Sequence, residues 1–136
     1  MYRSFTPLMA AMLAATGLSA APAVRVNQAG EAKLAKLLEG RIAGKPTSCV
    51  QNYDLRSSQI IDGTAIVYEG AGRTLYVNRP DIGADWLRSD DILVTKTSTS
   101  QLCSLDTVRL VSQGSHIERG FVGLGKFVPY TKPRRR

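Results

Sequence analysis

The stretch Gln59-Ile-Ile-Asp-Gly-Thr-Ala-Ile-Val-Tyr68 decides the fold class of this chain. Two short runs of β-forming residues flank the pair Asp62-Gly63, and both of these residue types tolerate the positive φ angles of a tight hairpin turn. The sequence therefore predicts two antiparallel strands, over residues 59–61 and 64–68, joined by that turn.

Short segments of the same kind continue on both sides of the hairpin. In residues 73–78, Leu75 and Val77 alternate with Tyr76 and Asn78, which predicts that the two sets lie on opposite faces. The other predicted strands cover residues 47–50, 91–97, 106–112 and 121–130, with an irregular connection at 80–89 and a loop at 113–120. Six or seven strands without alternating helices are typical of a small antiparallel barrel or of paired sheets, and argue against a parallel nucleotide-binding sheet.

One amphipathic helix is predicted ahead of the strands, over residues 28–39. Its apolar residues have the i, i+3 and i+4 spacing of one helical face: Leu34, Leu37 and Leu38. Either Gly40 or Gly44 can end the helix in a left-handed cap, and the sequence leaves both ends open.

The first 23 residues have the composition of a cleaved export signal. Arg3 precedes an unbroken apolar run at residues 8–15, and small residues follow at 20–23. The apolar run is shorter than the roughly 20 residues of a membrane span. We expect cleavage after Ala23 or, alternatively, after Ala20, without a lipid anchor because no cysteine lies nearby. The protein is therefore expected in the periplasm or outside the cell, as a single domain over residues 24–131.

The charge of the chain is concentrated at its ends. The 136 residues include 18 Lys and Arg against 11 Asp and Glu, a formal charge of +7. Four of the basic residues form a tail over residues 132–136: Lys132, Arg134, Arg135 and Arg136. Residues 24–131 hold 13 basic and 11 acidic residues, too even a balance for a nucleic-acid groove, so no nucleic acid is expected as a partner. The tail is expected to be solvated, or to make weak, salt-sensitive contact with an anionic surface.

Cys49 and Cys103, the two cysteines of the chain, are predicted to form a disulfide. An even cysteine count in an exported protein favours such a bond, and no Cys-x-x-Cys motif indicates a redox role. Closing this loop stabilises the folded state by about 4 kcal/mol on chain-entropy arguments. A single histidine and two cysteines exclude a four-ligand zinc site of that type, and we predict neither a metal nor a cofactor.

Six short motifs occur between residues 46 and 130 in a characteristic order and spacing. They are Cys49-Val50, Ile60-Ile61-Asp62, Thr64-Ala65-Ile66-Val67-Tyr68, Tyr76-Val77-Asn78-Arg79, Leu102-Cys103-Ser104-Leu105-Asp106 and Gly123-Leu124-Gly125-Lys126-Phe127-Val128-Pro129. Together they resemble a family of small exported bacterial proteins known only as a domain of unknown function. Members often carry two further cysteines, in regions that here contain none, which favours the pairing of Cys49 with Cys103. The resemblance implies an exported domain and brings no activity with it.

Few residues are candidates for chemistry. Asp62 and Asp106 lie at predicted strand ends and would form a general acid/base pair if the fold brought them together. Turn chemistry is the favoured explanation, because aspartate at a turn accepts backbone N–H bonds. Asn78, Arg79 and Tyr76 are the candidate binding residues, since polar residues at a strand end often line a binding rim and tyrosine suits carbohydrate or peptide contact.

Two further features are interpreted as structural. Residues 120–126 have the glycines and the lysine of a phosphate-binding loop, but Phe127 replaces the Ser/Thr and no helix is predicted to follow. His116 lies in a polar loop, and the chain holds no second histidine for a metal site.

The leading hypothesis is a non-enzymatic exported β-domain that binds or supports an envelope component or a partner protein. One alternative is a small hydrolase that uses the paired aspartates. The other is an inhibitor of an envelope-attacking hydrolase, which would use an exposed loop such as 113–120. Two carboxylates converging in a pocket would favour the enzyme, and a rigid protruding loop without a pocket would favour the inhibitor.

Overall fold

The computed structural model describes residues 26–135, so the expected export signal, its cleavage sites and Arg136 lie outside the described residues. The described chain is mainly β, with one α-helix and ten strands in antiparallel sheets, which confirms the predicted class. The predicted count of six to seven strands is too low. The sheets do not close into a barrel, and the paired-sheet alternative fits.

The helix α1 spans Gln28–Leu37. The strands, in chain order, are β1 (Ile42–Ala43), β2 (Cys49–Gln51), β3 (Ser57–Ile61), β4 (Ala65–Glu69), β5 (Leu75–Asn78), β6 (Asp91–Thr95), β7 (Gln101–Cys103), β8 (Thr107–Ser112), β9 (Glu118–Gly123) and β10 (Phe127–Thr131).

Five strands form a central sheet in the order β1-β10-β5-β4-β3. On one face α1 packs through Leu34, which is buried against side chains from β3, β4 and β5. The other face packs against the three-stranded sheet β6-β8-β9 and the two-stranded ribbon β2-β7. The central sheet is therefore buried on both faces, and β4 carries four consecutive buried residues rather than an alternating pattern.

The predicted hairpin is confirmed. Ile61 pairs with Ala65 across a three-residue loop, in which Gly63 has a φ of +57°. The alternation in β5 is also confirmed, because Leu75 and Val77 pack toward the helix while Tyr76 packs toward the second layer.

Local hydrogen bonds set the two ends of α1. The Asn27 side chain caps the N-terminus by accepting from the Gly30 N–H at 3.0 Å, and it also donates to the Asp62 carbonyl at 2.9 Å. The helix ends at Leu37 with Leu38 as its C-cap, two residues earlier than predicted, and Gly40, with a φ of +71°, lies in the turn that follows, so the chain has left the helix before Gly44. The cap therefore joins the helix start to the β3–β4 turn.

The predicted disulfide between Cys49 and Cys103 is confirmed. The two residues face each other in the β2–β7 register, with their Cα atoms 4.0 Å apart. Val50 and Leu102, the next pair along the ribbon, are buried in the core between the layers. The bond therefore anchors the ribbon beside that core.

The missed strands have a common physical cause. β1 and β7 have two and three residues, too few for alternation to distinguish them from a turn. The predicted strand over 121–130 is two strands, because residues 124–126 leave β9 before β10 begins. β9 also begins inside the predicted loop 113–120, at Glu118.

Candidate functional site

Asn78 lies at the end of β5, where the sequence predicts a binding rim, but the structure buries it completely between the layers. Its Nδ2 donates to the Gly125 carbonyl at 2.7 Å, and its Oδ1 accepts from the Gly125 N–H at 3.0 Å. Both ends of the amide are therefore engaged with the backbone of one residue. Asn78 holds the loop that separates β9 from β10, and it presents no polar atom to the surface.

Glycine is required at position 125 because the loop there lies close to the backbone at the end of β5. A Cβ at this position would lie 2.3 Å from the Arg79 carbonyl oxygen, so no larger residue fits without a backbone shift. The strand β10 follows at Phe127, where a phosphate-binding loop would need a helix. The glycines of residues 120–126 thus serve packing.

Arg79 points to the opposite face of the sheet, toward α1. Its guanidinium makes two hydrogen bonds to the Glu31 carboxylate, at 2.5 and 2.9 Å. The hydrogen bond raises the pKa of Arg79 and lowers the pKa of Glu31 from its ordinary value. Arg79 thereby ties the helix to the sheet, at the edge of a surface cavity that Asp81 and Asp85 also line.

Tyr76 is half-buried and packs against the core between the layers. A Cβ on Gly70 would lie 2.5 Å from the Tyr76 ring, so the ring rests on a glycine. Its cross-strand neighbour Tyr68 is buried, and among the described residues the Tyr68 hydroxyl has no hydrogen-bond partner. Burial raises the pKa of that hydroxyl. The three predicted binding residues therefore do not form one surface.

Asp62 and Asp106 stabilise two different turns. Asp62 Oδ1 accepts from the Ser89 N–H at 2.5 Å, which joins the β3–β4 turn to the start of β6. Asp106 Oδ2 accepts from the Cys103 N–H at 2.7 Å and closes the turn between β7 and β8. Asp106 lines a surface cavity of about 450 Å³ together with Lys96 and Arg109, and Asp62 does not line that cavity. The Asp106 carboxylate therefore stabilises its own turn, whereas the Asp62 carboxylate connects its turn to Ser89 in the segment before β6.

The loop after β8 is a short, hydrogen-bonded hairpin connection. The Ser112 N–H donates to the Ile117 carbonyl at 2.9 Å, and the His116 N–H donates to the Ser112 carbonyl at 2.8 Å. His116 has a φ of +58°, and the Ile117 side chain is exposed where the loop joins β9. The loop thus holds a defined shape and presents an apolar residue.

The outer face of β6-β8-β9 is a surface that the sequence analysis did not identify as a site. Ile92, Val94 and Phe121 are 41%, 43% and 50% exposed on it. Register places Val94, Arg109 and Phe121 side by side across the three strands, and Ile92 beside Val111 in an adjacent row. The residues of this outer face are therefore contiguous. Alternation in residues 91–97 and 106–112 was visible, but it could not show which face would be covered.

Charged and strained residues border the outer face. Arg109 pairs with Glu118 at 3.5 Å, and both side chains are more than half exposed. Leu105 is 83% exposed and has a φ of +75°, a costly conformation for a residue with a Cβ. The cavity of Asp106 adjoins the outer face, because Val94 and Arg109 belong to both.

Among the described residues, no group of three or more His, Cys, Asp and Glu side chains is arranged to hold a metal ion. Within the same part of the chain, no helix has the length and apolar character needed to cross a membrane. Comparisons with models of protein families, with curated proteins and with solved structures found no match.

Proposed function

We propose that this chain is an exported, non-enzymatic binding domain of the cell envelope, and that it binds a partner protein through the outer face of β6-β8-β9. Export is supported by the N-terminal composition and by a disulfide, which persists in oxidising compartments. The resemblance to a family of small exported proteins agrees with this proposal.

The outer face is the observation that carries the binding proposal. An antiparallel sheet with one face on the core ordinarily presents polar residues on the other. Here Ile92 and Val94 are neighbours on β6 and Phe121 lies on β9, all three exposed in the described part of the chain, with Arg109 between Val94 and Phe121 in register. Clusters of exposed apolar side chains mark interaction sites, and an aromatic residue beside an arginine is typical of the strongly contributing residues of interfaces.

The hydrolase alternative receives less support from the geometry. Asp106 accepts a backbone N–H within its own turn, and Asp62 accepts the N–H of Ser89 in the connection before β6. Only Asp106 lines a cavity of those two, and the charged side chains beside it are Lys96 and Arg109. That arrangement provides no second carboxylate for acid/base catalysis.

The proposal is tested by affinity capture from envelope extract with variants of the outer face. Val94→Asp places a charge beside Ile92 on β6, and Phe121→Ser removes the exposed aromatic side chain of β9. We expect each to weaken capture of a specific protein by about 30-fold, the effect of losing about 2 kcal/mol at a central interface residue. Tyr53→Ser is the control, because Tyr53 is also an exposed aromatic residue, at 78%, but lies in the turn after β2.

Thermal melting of each variant separates binding from folding. Exposed positions change stability by about 0.5 kcal/mol, so Phe121→Ser should melt close to the wild type. Equal capture by Phe121→Ser and the wild type, or equal loss with Tyr53→Ser, would refute the outer face as the binding site.

An inhibitor remains the second candidate function, favoured by the loop at residues 113–117. That loop is closed by hydrogen bonds, and the Ile117 side chain is exposed where the loop joins β9. Ile117→Asp should then abolish inhibition of a cell-wall hydrolase while Phe121→Ser leaves it intact. Loss of inhibition in Phe121→Ser but not in Ile117→Asp would instead support the outer face as the functional site.

A further inference from the structure

We propose that one end of the central sheet is an attachment site for an anionic lipid bilayer. This site is distinct from the outer face of β6-β8-β9, and its argument does not depend on a partner protein. It rests on how the fold gathers basic side chains that are distant in the sequence.

These basic side chains lie together because of the directions in which their strands run. At one end of the sheet β1 begins, β10 ends and β5 begins, with Ile42 paired to Thr131 and Leu75 paired to Tyr130. Arg41 and Lys132 directly flank the first pair, and Arg73 lies two residues before β5. These three cations therefore stand in a row across adjacent strands, which are spaced about 4.8 Å apart.

Hydrogen bonds fix the position of the Arg41 guanidinium. Arg41 Nη1 donates to the Arg73 carbonyl at 2.7 Å and, at 3.4 Å, to the Tyr130 carbonyl. Carbonyl oxygens leave the guanidinium charge uncompensated, unlike a carboxylate. The three ion pairs of the described residues involve other arginines, namely Arg79, Arg109 and Arg119.

The two ends of the sheet differ in charge. The end of α1, the start of β3 and the tail also lie at the basic end. The basic residues at this end are Lys36, Arg41, Arg56, Arg73, Lys132, Arg134 and Arg135. Its acidic residues are Glu39, Asp54 and Glu69. At the opposite end, the acidic residues are Glu31, Asp62, Asp81, Asp85 and Asp90, against Arg79, Arg88 and Lys126. Outside the tail, this end has four basic residues against three acidic ones, so the tail supplies most of its net positive charge.

This polarity favours a planar partner. A negatively charged surface attracts the basic end and repels the acidic end, so the domain would be oriented as well as held. Ile42 adds an apolar contact, because its side chain is 60% exposed beside Arg41 at the edge of the sheet. Stable attachment to membranes usually combines such charge with a second, apolar contribution.

Vesicle co-sedimentation tests the proposal. All strands and both buried clusters lie within residues 26–131, so the chain from Val24 onward contains the complete described fold. We expect this chain to sediment with phosphatidylcholine vesicles that contain phosphatidylglycerol, and not with phosphatidylcholine alone. Since the contact is electrostatic, roughly 0.5 M salt should release it.

Charge-matched variants locate the contact. Arg41→Gln with Arg73→Gln should weaken vesicle binding about 30-fold, the factor expected for two basic residues near an anionic membrane. Arg88→Gln with Lys126→Gln makes the same change in net charge at the other end and should leave binding unchanged. Equal weakening in the two double variants would overturn the proposal, because only net charge would then matter.

Two further variants keep the test decisive if the Arg41 change disturbs folding. Arg41→Lys with Arg73→Lys keeps the charge and should retain binding. Deleting residues 132–136 leaves β10 intact and should reduce binding by at least tenfold. Retention on heparin without sedimentation on vesicles would also overturn the proposal, in favour of a soluble polyanion.

The fluorescence of the single tryptophan tests the orientation of the domain on the vesicle. Trp86 lies in the connection at the acidic end, so its emission should stay constant when vesicles are added. In the Trp86→Phe background, Ile42→Trp should shift its emission to the blue and be quenched by brominated lipid. Quenching of Trp86, or none at position 42, would contradict the proposed orientation.

Discussion

Replacing Asn78 by alanine tests the central packing argument most directly. The substitution removes two hydrogen bonds, at 2.7 and 3.0 Å, and leaves the carbonyl and the N–H of Gly125 without partners. A buried backbone group without a partner costs about 1–3 kcal/mol, and the truncated side chain also leaves a void. We therefore expect Asn78→Ala to lower the free energy of unfolding by about 3–5 kcal/mol.

Such a loss is large beside the about 5–15 kcal/mol that holds a typical domain folded. Urea unfolding followed by circular dichroism measures it, and the melting temperature should fall by about 15 °C or more. Asn52→Ala is the control, because the Asn52 amide makes one exposed hydrogen bond to Thr97 and should contribute about 0.5 kcal/mol or less. An Asn78→Ala variant within about 1 kcal/mol of the wild type would refute the reasoning.

Asn78→Asp adds a pH test with almost no change in shape. An ionised carboxylate at position 78 faces the Gly125 carbonyl oxygen without a proton, whereas a protonated carboxyl donates as the amide does. Burial and this hydrogen bond raise the pKa of the new carboxyl in the folded state. A raised folded pKa means that stability is retained in acid and lost as the pH rises through that pKa. The deficit relative to the wild type should therefore grow from about pH 4 to about pH 7.

Three further substitutions probe separate contacts by urea unfolding. Replacing both Cys49 and Cys103 by alanine should lower the free energy of unfolding by about 4 kcal/mol, and a reductant should shift the wild type alone. Tyr68→Phe removes a buried hydroxyl that has no hydrogen-bond partner among the described residues, so the free energy of unfolding should stay equal or rise by about 1 kcal/mol. A clear loss of stability would contradict this expectation, because it would mean that the hydroxyl has a hydrogen-bond partner. Glu31→Gln should cost less than about 1 kcal/mol at neutral pH, because the pair with Arg79 is largely exposed. Since the folded pKa of Glu31 is lowered from 4.5, this difference should disappear as the pH falls through that lowered pKa, and persistence in acid would contradict it.

The candidate site shows where sequence reasoning reaches its limit. The turn prediction for Asp106 is reliable because the N–H that its carboxylate accepts belongs to the same turn. The Asp62 carboxylate instead accepts from Ser89, which is 27 residues away, and no local turn pattern indicates that contact. Asn78 and Tyr76 are predicted to lie at a binding rim because Asn78 ends its strand and tyrosine suits carbohydrate or peptide contact. Alternation separates two faces, but it contains no information on whether a second layer covers the polar one.

The sequence by itself determined the local and covalent features of this protein: the β3–β4 hairpin, the helix with its two possible ends, and the disulfide between Cys49 and Cys103. These depend on short-range backbone preferences and on the chemistry of two thiols. Only the tertiary structure decided that the central sheet is buried on both faces and that β9 separates from β10 at the Asn78 contact. It also decided which apolar residues of β6-β8-β9 stay uncovered and which cations meet at one end. The physical reason is that these features depend on pairing between strands far apart in the chain, such as β1 with β10, which no local pattern encodes.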